Sequence, residues 1–368
     1  MSISEYDAYR PPEGPRKRGG KRKRRGGGFG AGGGAGRSDG SREMAMVPEV
    51  EFTSYYDRPI VKAPPWEAPI GIYLFLGGVA GGSSLLAAGA QFTKNAKLRR
   101  NSRLAAIGAA GLGAVALIVD LGRPERFLNM FRTFKVTSPM SVGSWILGAF
   151  SAGAGVAAVA EVDRMTKRKL PLGPLRPVLK FVEAPAGVAS AVFAAPLAAY
   201  TGVLLSDTAN PTWNAAKEDL AFVFVSSASL ASGGLGMITT PVADAKPARV
   251  LAVAGSAAEL VASELMERRM DPVAAEPLHH GTPGKMLKWS KYLAAAGGLG
   301  ALLGGRNRAV AVASGVTLLA ASALTRFGVL EAGLESTKDP RYVIEPQKRR
   351  LEERRRRGIV DDSITTAG

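Results

Sequence analysis

Charged side chains are scarce where this sequence is most apolar, and the few that occur there are the first candidates for chemistry. Glu259 lies in the middle of an apolar run, flanked by Ser256 and Ser263 at i−3 and i+4, which makes one polar stripe on a helix. Glu264 follows a turn later, Arg326 lies inside the last apolar run, Glu183 opens another, and Asp120 closes a fourth, close to Arg123. A charge at bilayer depth is costly and faces protein or water rather than lipid. The set has two uses: a proton relay, or a structural ion pair joining Arg326 to Glu259 or Glu264. Arginine keeps its proton, so it balances a charge and does not pass one on.

Other chemistry is excluded by composition. Cysteine is absent, which removes disulfides, thiolate catalysis, iron–sulfur ligation and cysteine-bound zinc. The only two histidines, His279 and His280, are adjacent, whereas a bis-histidine haem between helices needs ligands far apart. No haem, iron–sulfur cluster or metal site is therefore expected in this chain, and no catalytic side chain stands out.

The elements that hold these residues are long apolar helices, since a membrane crossing takes about 20 such residues. Eight candidates are legible: Pro69 to Phe92, Leu104 to Leu121, Val142 to Ala160, Phe181 to Ser206, Leu220 to Thr240, Ala248 to Met266, Tyr292 to Gly305, and Ala309 to Ala332. Glycine pairs four apart, Gly77/Gly81, Gly78/Gly82 and Gly300/Gly304, let neighbouring backbones approach and predict a packed bundle. The fold class is thus an all-α integral membrane protein with about eight spans over residues 64–332, between a Gly/Arg/Lys-rich tail (1–63) and a charged tail (333–368). The net charge is +17, with one basic run from Arg16 to Arg25 and another from Arg354 to Arg357. Such runs read either as disordered, solvated tails or as a patch for anionic lipid, nucleic acid or an acidic partner, and no specific nucleic acid is expected. No apolar stretch near the start has the form of a signal peptide.

An even number of spans places both tails on one face, and all four tryptophans, Trp66, Trp145, Trp213 and Trp289, fall there too. The pattern suits either an interfacial belt or a docking face. Between the second and third spans, Phe127, Phe131 and Phe134 recur at i, i+4 and i+7, as in a short helix lying in the interface. The loops of the other face carry Lys94, Lys97, Arg99, Arg100 and Arg103, then Arg164, Lys167, Arg168, Lys169, Arg176 and Lys180. The positive-inside rule makes that face cytoplasmic and puts the tails outside, although the N-terminal basic run would then have crossed against the potential.

Three passages carry a resemblance. They are Trp66-Glu67-Ala68-Pro69 leading to Gly77-Gly78-Val79-Ala80-Gly81-Gly82; Asp120-Leu121-Gly122-Arg123-Pro124-Glu125-Arg126-Phe127 followed by Ser138-Pro139-Met140; and Tyr200-Thr201-Gly202-Val203 with Pro211-Thr212-Trp213-Asn214 beyond. In order and spacing they resemble the NrfD/PsrC family of quinone-reactive membrane subunits. The resemblance implies two four-helix bundles with no redox centre, in a bacterial cytoplasmic (inner) membrane. It implies menaquinone or ubiquinone as substrate, a docked ferredoxin-like four-cluster iron–sulfur subunit, and beyond it a molybdenum-pterin or similar catalytic subunit. Tyr200 matches the tyrosine of the family's quinone pocket. Tyr73 stands where some relatives have histidine; it still donates a hydrogen bond but does not share histidine's proton chemistry near neutrality. Tyr73 and Tyr200 are the expected quinone contacts, with Asp120 and Arg123 bordering the same face. A secondary transporter or proton-translocating membrane protein using the buried acids is the alternative.

Overall fold

The computed structural model describes residues 59–304 and 307–359, so the basic run Arg16–Arg25 lies outside the described residues. Eight long helices account for most of the rest: α1 (Ala68–Phe92), α2 (Ala96–Asp120), α3 (Pro139–Met165), α4 (Leu175–Ser206), α5 (Leu220–Thr239), α6 (Lys246–Arg269), α7 (Gly281–Gly304) and α8 (Arg308–Ser336). A ninth, α9 (Arg341–Arg356), follows α8. No strand occurs among the described residues. The starts are set locally: Asn95, Ser138 and Asn307 accept backbone N–H groups that begin α2, α3 and α8, and prolines occupy the first turn of α1, α3 and α6.

Six of the eight long helices, α1 to α5 and α8, are long and apolar enough to cross a membrane. The other two have the length, about 36 Å for 24 residues at 1.5 Å each. Their composition is mixed: α6 carries Arg249, Glu259 and Glu264, and the first half of α7 carries Lys285, Lys288 and Lys291.

The helices form two closed rings. In the first, α1 packs on α2, α2 on α3, α3 on α4, and α4 returns to α1; the second repeats this with α5 to α8. The rings join where α5 meets α1 and α4, and where α8 meets α1. Glycine makes the joint possible. A side chain at Gly82 would meet the Ala228 carbonyl of α5 at 3.0 Å, and one at Gly78 would meet the Ala228 side chain at 3.1 Å. Only a helix bare on these faces can lie between the rings.

One face holds the starts of α1, α3, α5 and α7, and the tryptophans lie on it with unequal roles. Trp213 is fully buried, stacks on Trp66 at 5.6 Å between ring centroids, and donates from its indole to the Val329 carbonyl of α8 at 2.7 Å. It closes the seam between the rings and is no belt residue. Trp145 and Trp289 are exposed, as an interfacial belt requires. Trp213→Phe loses the indole N–H and leaves a void where the second ring packs on Gly333; it should lower the unfolding midpoint by the equivalent of about 2–4 kcal/mol. A midpoint equal to wild type in a detergent melt would show that the bond carries no weight.

Candidate functional site

The expected site residues divide among separate places. Tyr73 is 4% exposed and lies about 8 Å inside the tryptophan-face end of α1. Its ring faces Gly113 of α2, where a side chain would touch it at 3.4 Å. Tyr200 is about 9 Å inside the matching end of α4, and its ring fills the space left by Gly143 of α3. Both rings therefore point into the first bundle at the same depth, among Leu76, Leu117, Ile146 and Leu147. Neither hydroxyl is hydrogen-bonded to another described residue.

Asp120 and Arg123 border this end of the bundle without pairing. Asp120 is half-buried, and its electrostatic neighbour is Glu67, just ahead of α1; Arg123 is exposed. Gly122, at φ +63, turns the chain between them and so aims Arg123 away from the helix end. The expected interfacial helix follows as a 3₁₀ turn, Pro124–Phe131, leaving Leu128 and Phe134 exposed. Phe131 and Phe134 each meet the Trp145 ring edge-on, 6.0 Å between centroids.

Glu183 belongs to the opposite face. Since α4 begins at Leu175, Glu183 lies two turns inside the helix rather than at its start. It pairs with Arg164 of α3 and lies 3.7 Å from Arg103 of α2. Glu161 of α3 is the centre of this cluster, with Arg99 at 2.8 Å, Arg103 at 3.0 Å and Arg164 at 3.1 Å. Arg103 also donates to Gln91 of α1 at 2.6 Å. One charged network thus ties all four helices of the first bundle at the face opposite the tryptophans.

Glu259 and Arg326 lie in the second bundle, 3% and 0% exposed. They interact electrostatically, yet no nitrogen–oxygen pair between them falls within 4.0 Å, so the expected direct ion pair does not form. Arg326 instead donates to the Phe224 carbonyl at 2.5 Å and lies over the Phe224 ring, 3.8 Å from its centroid. Glu259 accepts from Thr325 at 2.5 Å, and Thr325 meets Ser290 of α7 at 2.5 Å. Glu264 does not share this interior. Its side chain is half exposed and pairs with Arg268 at 2.8 Å. Five residues at 100° each turn it about 140° from Glu259, which removes it from the expected buried set.

The buried acids therefore do not converge on one midplane site. The convergent donors are Thr325, Ser290 and Ser227, which the sequence does not single out: a serine or threonine inside an apolar helix most often bonds its own backbone, as Ser256 does to Ala252 at 2.8 Å. Among the described residues no three His, Cys, Asp or Glu side chains are placed to hold a metal ion.

The sequence model of the polysulphide reductase NrfD family matches residues 59–249, from the approach to α1 through α5 to the start of α6. That stretch contains Tyr73, Tyr200, Asp120, Arg123 and Glu183; Glu259, Glu264 and Arg326 lie beyond it. No curated protein matches the chain.

Proposed function

Because this chain belongs to the polysulphide reductase NrfD family, whose members are membrane subunits of oxidoreductase complexes, we propose that it is the quinone-reactive subunit of such a complex. Electrons pass between a docked iron–sulfur subunit and the membrane quinone pool at the tryptophan face. The observation that carries this reading is the pair of uncommitted hydroxyls, Tyr73 and Tyr200, at equal depth inside an apolar bundle. A quinone head group is a flat apolar ring with two carbonyl acceptors, so its site needs hydroxyl donors within an apolar surrounding, which these two tyrosines would supply.

In this reading each tyrosine donates to a quinone carbonyl, holding the ring while two electrons and two protons are exchanged. Asp120 and Arg123 lie at the mouth, where they border the path of protons and of the docked partner. The iron–sulfur subunit is of the four-cluster, ferredoxin-like kind, and a molybdenum-pterin or similar subunit stands behind it. In this arrangement α6 and α7 also cross the bilayer of a bacterial inner membrane, with the tryptophan face outside.

Tyr200→Phe tests the site. It removes one donor with little change of shape, so quinone turnover by the assembled complex should fall about tenfold, the worth of one hydrogen bond of about 1.4 kcal/mol. Activity with a soluble electron acceptor should stay at the wild-type level. Unchanged quinone kinetics in both Tyr200→Phe and Tyr73→Phe would place the quinone elsewhere.

A further inference from the structure

The second bundle contains a cavity that the quinone reading does not use and whose lining, apart from Val223, lies beyond the family match. It has a volume of about 20 Å³ and is bounded by Glu259, Ser263, Ser290 and Thr325 at its inner end and by Met266, Glu267 and Lys291 toward the tryptophan face. A space of this size holds about one water molecule. Three buried polar atoms have no hydrogen-bond partner among the described residues: Oε2 of Glu259, which lines the inner end, and Nε and Nη1 of Arg326, which lies outside the lining and acts on Glu259 electrostatically. These two residues interact across more than ion-pair distance, the separation at which a water completes the contact.

The two ends of this cavity differ. Glu259, Ser290 and Thr325 come from three helices at a common depth of about 15 Å. Toward the tryptophan face the lining turns polar and then exposed: Glu267 pairs with Lys291 at 2.8 Å and lies 3.9 Å from His279, whose side chain is half in solvent. Toward the opposite face the bundle is shut. A side chain at Gly298 would meet Ser256 at 2.8 Å, and one at Gly297 would meet Leu318 at 2.8 Å. Ala252, Ala301 and Leu318 are fully buried there, and Ser256 is already bonded to its own helix.

We propose that this cavity is a hydrated, one-sided proton-exchange site, through which Glu259 communicates with the tryptophan face and with no other. The exchange is simple: the carboxyl O–H bond breaks as a bound water takes the proton, and exchange of that water with solvent at the outer end, where Glu267 lies about 12 Å further along α6, carries the proton away. The carboxylate left behind faces Arg326, whose fixed positive charge balances it, while Thr325 keeps its hydrogen bond to Oε1. The charged groups that bear on Glu259 are thus Arg326 from α8, Lys291 from α7 and Glu267 from its own helix; α5 contributes the neutral Ser227. The site stores or buffers a proton on the quinone side, and the second bundle is not a through-channel.

Two methionines of the unaltered chain provide the first test. Met266 and Met237 are both buried, but only Met266 borders the cavity. Hydroxyl radicals made by X-ray radiolysis attack side chains next to bound water, so in the assembled complex Met266 should form sulfoxide about tenfold faster than Met237. Equal rates would overturn the proposal. The second test uses the lack of cysteine. In Ser263→Cys, Ag⁺ (a thiol-reactive ion of about water size) added at the tryptophan face should block later alkylation of the thiol. In Ser256→Cys it should not, from either face. Protection of Ser256→Cys, or none of Ser263→Cys, would each sink the one-sided site. Neither test reads quinone turnover, so their failure would leave the tyrosine cleft untouched.

Discussion

Glu161→Gln should destabilise the chain by about 3–5 kcal/mol, the cost of removing one partner from a buried ion pair. The glutamine keeps the shape and loses the charge that Arg99, Arg103 and Arg164 share. Arg103 suffers most, being 4% exposed, with only Glu183 at 3.7 Å left as a carboxylate neighbour. The result should be a much lower unfolding midpoint in detergent and a reduced yield in the membrane. Replacing both partners, as in Arg103→Met with Glu161→Leu, should be milder than Glu161→Gln alone, because the deeply buried Arg103 charge is then not stranded, while Arg99 and Arg164 are more exposed and Arg164 keeps Glu183. A Glu161→Gln chain that melts with the wild type would show that the network contributes nothing.

Gly233→Val should prevent the second bundle from forming. A side chain there would lie 2.5 Å from the backbone nitrogen of Ala252 and 2.7 Å from its Cα, and backbone atoms cannot swing aside. From the other helix, Gly255 presses in the same way on Leu230, so α5 and α6 touch through two bare faces. Separating them by a methyl width opens voids along the whole pair, and a loss above about 4 kcal/mol is expected. Gly89→Ala supplies the contrast. Nothing lies within 4 Å of the added carbon, and the helix gains up to about 1 kcal/mol from alanine's better propensity. Folded yield by size-exclusion chromatography separates the two, and equal yields would remove the packing argument.

The membrane class and the six helices apolar enough to cross were legible because apolar runs of that length have few other uses; α6 and α7, mixed in composition, are long helices whose crossing belongs to the proposal. The helix ends were harder to read. α2 begins at Ala96 rather than Leu104, α3 runs on to Met165 rather than Ala160, and α4 begins at Leu175 rather than Phe181. In each case charged residues marked the apparent edge: Arg99 and Arg103, Glu161 and Arg164, and, ahead of Phe181, Arg176, which pairs with Asp163. These neutralise one another across helices, so the helices continue through them. The depth of Tyr73 and Tyr200 followed from counting residues along a helix, but the glycines that seat their rings, Gly113 and Gly143, belong to other helices. The same limit hid Thr325 and Ser290, whose meeting with Glu259 depends on which faces of α6, α7 and α8 are turned inward.

The buried position of Trp213 has a consequence for how the chain is made. Its indole fits against Gly333, where any side chain would overlap it, and its N–H is taken by Val329. Next to it, Thr212 donates to the Ala274 carbonyl at 2.8 Å. Every one of these partners is synthesised after the loop that needs them, and Gly333 lies more than a hundred residues downstream. A ribosome delivering the chain from its N-terminus therefore leaves a large aromatic side chain unseated until the last long helix has been inserted. A chain cut short before α8 therefore keeps the Trp66 stack but leaves the Trp213 indole without its hydrogen bond and without its seat against Gly333.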